Sequence, residues 1–401
     1  MASSTAMTVP LLVLLACSGA TAQVFPRPLF PRAPLFPRAP WNFTLPTGPG
    51  DTSGGSGVTT GGGPSVPAMF VFGDSLTDNG NNNDLNSFAK ANYLPYGIDF
   101  AGGPTGRFSN GYTMVDTIAE LLGLPLLPSN PVASSPDSEG GALHGVNYAS
   151  AAAGILDNTG QNFVGRIPFN QQIKNFQTTL NQIRGKVGAG NLASSLGRSI
   201  FYVGMGSNDY LNNYLMPNYN TRNEYNGDQY STLLVQQYTK QLTSLYNLGA
   251  RRFVIAGVGS MACIPNMRAR NPTNMCSPDV DELIVPFNSK VKGMVNTLNV
   301  QLPRARFIYV DTFEMISEVL RNPVNYGFSV VDRGCCGIGR NRGVITCLPF
   351  LRPCPNRQTY IFWDAFHPTE RVNVLLGKAA YSGGTDLAYP MNIQQLAAWQ
   401  P

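Results

Sequence analysis

Met69-Phe70-Val71-Phe72-Gly73-Asp74-Ser75-Leu76-Thr77-Asp78-Asn79-Gly80-Asn81-Asn82-Asn83-Asp84 is the stretch on which the reading of this chain turns. The apolar run 68–72 has the length and the aromatic, β-branched content of a buried parallel strand, and it stops at Gly73-Asp74-Ser75. Ser75 therefore falls just past a strand's carboxyl end, the edge at which open α/β sheets place their chemistry. A serine hydroxyl is a weak nucleophile without a base beside it, so the rest of the chain must supply one.

The 401 residues are 43% hydrophobic, enough apolar material for one large α/β domain or two small ones. Charged residues make up 13% and the net charge is +5, with no basic run interleaved with aromatics, so nothing suggests a nucleic-acid groove. Residues 1–22 carry an apolar segment (9–17) followed by Ser18-Gly19-Ala20-Thr21-Ala22, which reads as a signal peptide with its cleavage site. That segment is too short to span a bilayer and no later run is long enough, so a secreted, extracellular protein without a transmembrane segment is expected. Residues 23–65 read as an arm outside the core. It is proline-rich with Phe-Pro-Arg repeats over 25–40, then Gly-, Ser- and Thr-rich over 51–65, and serves either as an inert spacer or as a contact for cell-wall material. It holds an N-glycosylation sequon, Asn42-Phe43-Thr44. The catalytic domain is expected over 66–390, with a C-terminal tail at 391–401. Once Cys17 has left with the signal, Cys263, Cys276, Cys335, Cys336, Cys347 and Cys354 remain, an even number that suits up to three disulfides in an oxidising compartment. Four of them crowd into 335–354, which predicts a stapled loop in which adjacent Cys335 and Cys336 bond to different partners.

After Ser75 helical and strand-like stretches alternate. Helices are expected over 112–122, 169–187, 230–248, 279–302, 312–320 and 369–380, and strands over 199–203, 253–256 and 307–310. This rhythm predicts a parallel sheet covered on both faces, with the loops after each strand gathered at one working edge.

Histidine is the usual base for a serine nucleophile, and the chain has only His144 and His367. His367 stands in Asp364-Ala365-Phe366-His367-Pro368, where Asp364 can reach the imidazole from a tight loop and fix its tautomer. His144 has no such neighbour and reads as structural. Acyl transfer also needs donors aimed at a developing oxyanion. Asn208, in Gly206-Ser207-Asn208-Asp209 after the 199–203 strand, offers one, and a backbone N–H in Asn147-Tyr148-Ala149-Ser150-Ala151-Ala152-Ala153-Gly154 offers another.

These four blocks, in this order, resemble the GDSL or SGNH hydrolases, and more closely the plant GDSL esterase/lipases, over roughly 68–380. The resemblance implies Ser75 as nucleophile, His367 as base and Asp364 as its orienter. It also implies an oxyanion hole from the Ser75 backbone N–H, Gly154 and Asn208, and a flavodoxin-like three-layer α/β/α fold with strand order 2-1-3-4-5. Where the family often has glycines in its second block this chain has Ala151 and Ala152, which leaves Gly154 as the expected donor and Gly145 as the alternative. The arm resembles that of anther-specific proline-rich members.

Competing motifs fail. No serine has glycine at both −2 and +2, so the α/β-hydrolase elbow is absent. Gly257-Val258-Gly259-Ser260-Met261-Ala262 mimics a dinucleotide fingerprint, but Cys263-Ile264-Pro265 interrupts the helix that would follow. Asp78, Asn81, Asn83 and Asp84 lack EF-hand spacing and read as a hydrogen-bonded turn. The expectation is a serine hydrolase of carboxylic or lipid esters that needs no metal or cofactor. The alternatives are an extracellular acyltransferase of cutin-synthase type with the same triad, or a non-catalytic wall-binding protein.

Overall fold

Met69–Gly73 (β1) is buried along its whole length, as a strand with neighbours on either side and helices above and below must be. The computed structural model that shows this describes residues 66–134 and 142–400, so the expected signal peptide, the proline-rich arm and the Asn42 sequon lie outside the described residues. β1 lies between Gly145–Asn147 (β2) and Ile200–Gly204 (β3), and the sheet continues through Arg252–Ala256 (β4) and Arg306–Val310 (β5). Its order, 2-1-3-4-5, is parallel throughout and is the order the resemblance implied. A small parallel pair, Val330–Gly334 (β6) and Tyr360–Phe362 (β7), stands apart, and Ala388–Tyr389 (β8) closes the main sheet as an antiparallel edge on β5.

The register is written in aromatic residues. Phe70, Phe201, Phe253 and Phe307 stand opposite one another on four successive strands, with ring centroids 5.2, 5.8 and 4.1 Å apart. Such pairs add about 0.5–1.5 kcal/mol each beyond the area they bury. Slipping one strand by a residue would turn its phenylalanine to the opposite face.

The connecting helices lie close to their expected bounds: Met114–Leu121 (α1), Phe169–Val187 (α2), Gly227–Asn247 (α4), Pro278–Gln301 (α5), Thr312–Arg321 (α6) and Glu370–Ser382 (α7), with Ala189–Arg198 (α3) added before β3. α1 packs against α7, and α4 against α5. The segment set apart as a tail folds onto the domain. Ile393–Ala398 (α8) is capped by Asn392, buries Ile393 and Leu396, and offers the Ala397 carbonyl to the buried Arg252 at 2.9 Å. All six cysteines of the domain pair, as Cys263–Cys276, Cys335–Cys354 and Cys336–Cys347, so the adjacent cysteines do take different partners.

Candidate active site

Past β1 the backbone makes one helical turn. The N–H groups of Thr77 and Asp78 donate to the Asp74 carbonyl at 3.1 and 2.9 Å, and the Leu76 N–H to the Asp74 carboxylate at 3.0 Å. Gly73 allows the turn, since a Cβ there would lie 2.2 Å from Thr77 Oγ1. Buried Gln172 on α2 brackets the Gly73 peptide, accepting from its N–H at 3.1 Å and donating to its carbonyl at 2.9 Å. Ser75 is thereby held at the strand's end with its own N–H pledged to no acceptor among the described residues.

His367 reaches the same point from the turn between β7 and α7. The Trp363 N–H donates to the His367 carbonyl at 2.8 Å, and the Phe366 and His367 N–H groups donate to Asp364 Oδ1 at 2.9 and 2.8 Å. The imidazole Nδ1 lies 2.9 Å from each Asp364 oxygen, and Nε2 lies 2.8 Å from Ser75 Oγ. An ionised Asp364 accepts from Nδ1–H, which leaves Nε2 to accept the serine proton. Phe108 covers the ring, with centroids 5.0 Å apart. Burial would raise the Asp364 carboxyl, yet His367 beside it and the hydrogen bonds from His367, Tyr96 and the Phe366 N–H hold it below the usual carboxylate range. The three residues expected to work together are thus brought into one chain of hydrogen bonds. His144 stays at the surface, with Nδ1 3.4 Å from the Pro67 carbonyl.

β3 pairs with β1 so that Gly204 stands opposite Gly73, and this carries the Ser207–Asp209 turn to the edge that holds Ser75. Gly206 takes φ +129°, a conformation that a side chain rarely adopts. Asn208 is clamped: its Nδ2 donates to the Ala153 carbonyl at 2.9 Å and its Oδ1 accepts from Asn212 at 2.6 Å. The second Nδ2 hydrogen remains for the cavity that Asn208 and Ser75 both line.

The second block meets the cavity through residues other than the glycine expected to donate. Gly154 does not stand on the cavity wall; a Cβ there would run into Thr159 and the Asp209 carboxylate. Ala151 and Ala152 are on the wall, and the Ala151 N–H is spent on Asp78 Oδ2 at 2.8 Å. Ala152, at φ +66°, presents an N–H with no acceptor among the described residues. Gly145 belongs to β2 and donates to the Ala142 carbonyl. Nothing local in the sequence singles out Ala152, since alanine at φ > 0 runs against the usual preference for glycine there.

Buried polar side chains tie these turns together. Asp78 Oδ1 accepts from the Gly80 and Asn81 N–H groups, both at 2.8 Å; Asn81 donates to the Asn147 and Ala149 carbonyls, and Asn82 to those of Ala89 and Ala151. The asparagine-rich stretch is therefore the hydrogen-bonded turn expected of it, binding the first block to the second. Asp209 binds the second block to the third, accepting from the Ile155 and Leu156 N–H groups and from Thr159 Oγ1. Burial pushes the carboxyls of Asp74, Asp78 and Asp209 up to about 6, against the hydrogen bonds that favour their charge. Most N–H groups of the dinucleotide-like loop are committed: Gly257 to the Val310 carbonyl, Val258 to Asn288, and both Met261 and Ala262 to Asp281. Among the described residues no three His, Cys, Asp or Glu side chains gather as a metal site would require.

From Ser75 a cavity of about 200 Å³ runs along the strand ends, its walls including Met114, Val258, Met261, Ile264, Ile316 and Leu376. Near Ser75 it offers the polar groups of His367 and Asn208; elsewhere it is chiefly apolar, a shape for an ester with a hydrocarbon part. No helix among the described residues is long and apolar enough to cross a membrane.

The family model for GDSL-like lipases/acylhydrolases matches residues 69–380. The chain is 62% identical over 334 residues to GDSL esterase/lipase At1g71691 of Arabidopsis thaliana, an alignment covering 83% of this chain and 86% of that one. It is 51% identical to GDSL esterase/lipase At1g71250 of the same plant, over 82% of this chain and 89% of the relative. The chain belongs to the GDSL lipase/acylhydrolase family, and it is a carboxylic ester hydrolase.

Proposed function

We propose that the ester is cleaved through an acyl-enzyme on Ser75. His367 Nε2 takes the Ser75 proton as Oγ attacks the acyl carbon, and Asp364 stabilises the imidazolium that forms. The tetrahedral oxyanion accepts hydrogen bonds from the Ser75 N–H, from Asn208 Nδ2 and from a backbone N–H of the second block, for which Ala152 on the cavity wall is preferred to the expected Gly154. His367 returns its proton to the leaving alcohol and then takes one from the water that releases the acid. The 2.8 Å contact between Ser75 Oγ and His367 Nε2, across 292 residues of sequence, is the observation that carries this reading.

The apolar cavity supports a lipid or other hydrophobic acyl group as the part recognised. The segment 9–22 supports secretion with loss of residues 1–22, and three disulfides suit an oxidising compartment. The arm, 23–65, precedes the hydrolase domain and is a spacer or a wall contact. The test is labelling by a fluorophosphonate together with turnover of p-nitrophenyl esters. Ser75→Ala should abolish both while leaving the circular dichroism unchanged; turnover equal to the parent would refute the assignment. Adding a hydroxyacyl glycerol to the same assay separates the acceptors, since hydrolysis releases free acid and acyl transfer builds oligomers.

A further inference from the structure

Asp364 is held by more groups than a triad requires. Oδ1 takes the two backbone N–H groups of its own turn, while Oδ2 takes the Tyr96 hydroxyl at 2.6 Å and the Thr346 hydroxyl at 2.9 Å. The two hydroxyls also lie 2.9 Å from each other. Tyr96 is wholly buried, edge-on to Phe108 and Trp363, and burial together with the Asp364 charge pushes its phenol well above the ordinary range, so it stays a donor. Thr346 precedes Cys347, whose disulfide to Cys336 anchors the loop. The Cys336 N–H donates to the Trp363 carbonyl at 2.7 Å, and Tyr93 donates to the Cys347 carbonyl at 2.9 Å.

We propose that Tyr96 and Thr346 are positioning residues that hold Asp364 in the orientation and charge state His367 needs. A carboxylate has about four lone-pair directions. With two hydroxyls on Oδ2, two N–H groups on Oδ1 and Nδ1–H shared between the oxygens at 2.9 Å from each, every direction is used and its plane cannot turn away from Nδ1. The same donors favour its ionised form in a dry pocket, which keeps it from taking the imidazole proton during attack on the ester. Neither residue hydrogen-bonds Ser75 or His367, and both act through Asp364, while Thr346 also lines the cavity. The stapled loop 335–354 thereby has a task besides stability, which is to deliver Thr346. The proposal rests on the reading of Ser75, His367 and Asp364 as the catalytic relay.

The test compares Tyr96→Phe and Thr346→Val with the parent on a soluble p-nitrophenyl ester across pH 5–9, with Thr346→Ser as the conservative control. Both variants remove a hydroxyl and little volume. Each should lower kcat on the order of tenfold with KM little changed, because a charge-assisted bond to the orienting carboxylate is lost. With fewer donors Asp364 holds its charge less diffusely and stabilises a positive imidazole more, so the acid limb of kcat/KM moves upward. Thr346→Ser should restore the parent profile. A purely structural role would lower thermal stability and leave the pH limb in place, and that outcome in both variants overturns the proposal. If the parent itself takes no fluorophosphonate at Ser75, the acyl-enzyme reading falls instead, and the two failures are told apart.

Discussion

Replacing Asp364 by asparagine tests the relay at its most constrained point, because five groups surround that carboxylate. The backbone N–H groups of Phe366 and His367 cannot turn around, whereas the hydroxyls of Tyr96 and Thr346 can rotate to accept. The amide of Asp364→Asn must therefore place its oxygen on the Oδ1 side and its NH₂ on the Oδ2 side, 2.9 Å from His367 Nδ1. An N–H aimed at Nδ1 selects the tautomer with its proton on Nε2, which then donates to Ser75 and cannot accept from it. The loss of that base and of the charge opposing the imidazolium is expected to cost about 10³–10⁴ in kcat, roughly 4–5.5 kcal/mol of barrier. The fold should survive, since every donor but one keeps a partner, with a stability loss of about 1–3 kcal/mol. Steady-state turnover on a p-nitrophenyl ester, with thermal melting to confirm folding, gives the answer. A folded variant within tenfold of the parent would refute the assignment of Asp364 as the group that sets the tautomer.

Ala152 at φ +66° carries a conformational cost that glycine would not, so Ala152→Gly is expected to stabilise the protein by about 1 kcal/mol while leaving its N–H and the turnover in place; a lower melting temperature would contradict this. Asp74, Asp78 and Asp209 have carboxyls raised from 3.8 to about 6 in the folded chain. Between those values the native state holds protons that the unfolded chain has released. The stability they contribute is full below pH 3.8 and is lost as the pH rises through about 6, by up to about 1.4 kcal/mol per unit for each group. Asp364, shifted downward, acts oppositely but only below its ordinary range, outside this window. The urea midpoint should accordingly be higher at pH 5 than at pH 7, and Asp78→Asn should shrink the difference; a difference that does not shrink removes Asp78 from the account.

What could be read from the sequence was local or periodic. The long helices announced themselves by spacing, and β1, β3, β4 and β5 by short apolar runs bounded by turns, since a fully buried strand must be apolar on both faces. Ser75 was legible because it follows such a strand, and Asp364 with His367 because three residues of one tight turn suffice to join them. β2, β6, β7 and β8 were not legible: they are two to five residues long, and β2 and β8 are strands only because β1 and β5 offer them partners. Helix α8 was missed for a similar reason, being six residues whose stability comes from burial of Ile393 and Leu396 rather than from propensity.

By itself, then, the sequence determined the class of fold, the strand-end serine, the histidine and its aspartate, because each rests on a pattern or a spacing within a few residues. Only the tertiary structure decided that Ala152 and not Gly154 lines the cavity, since that depends on one backbone angle and on which side of the loop Asp209 occupies. It alone brought Tyr96 and Thr346 onto Asp364 from 268 and 18 residues away. Hydrogen bonds reach about 3 Å and carry no trace along the chain, so partners that meet only after folding leave nothing in the sequence to read.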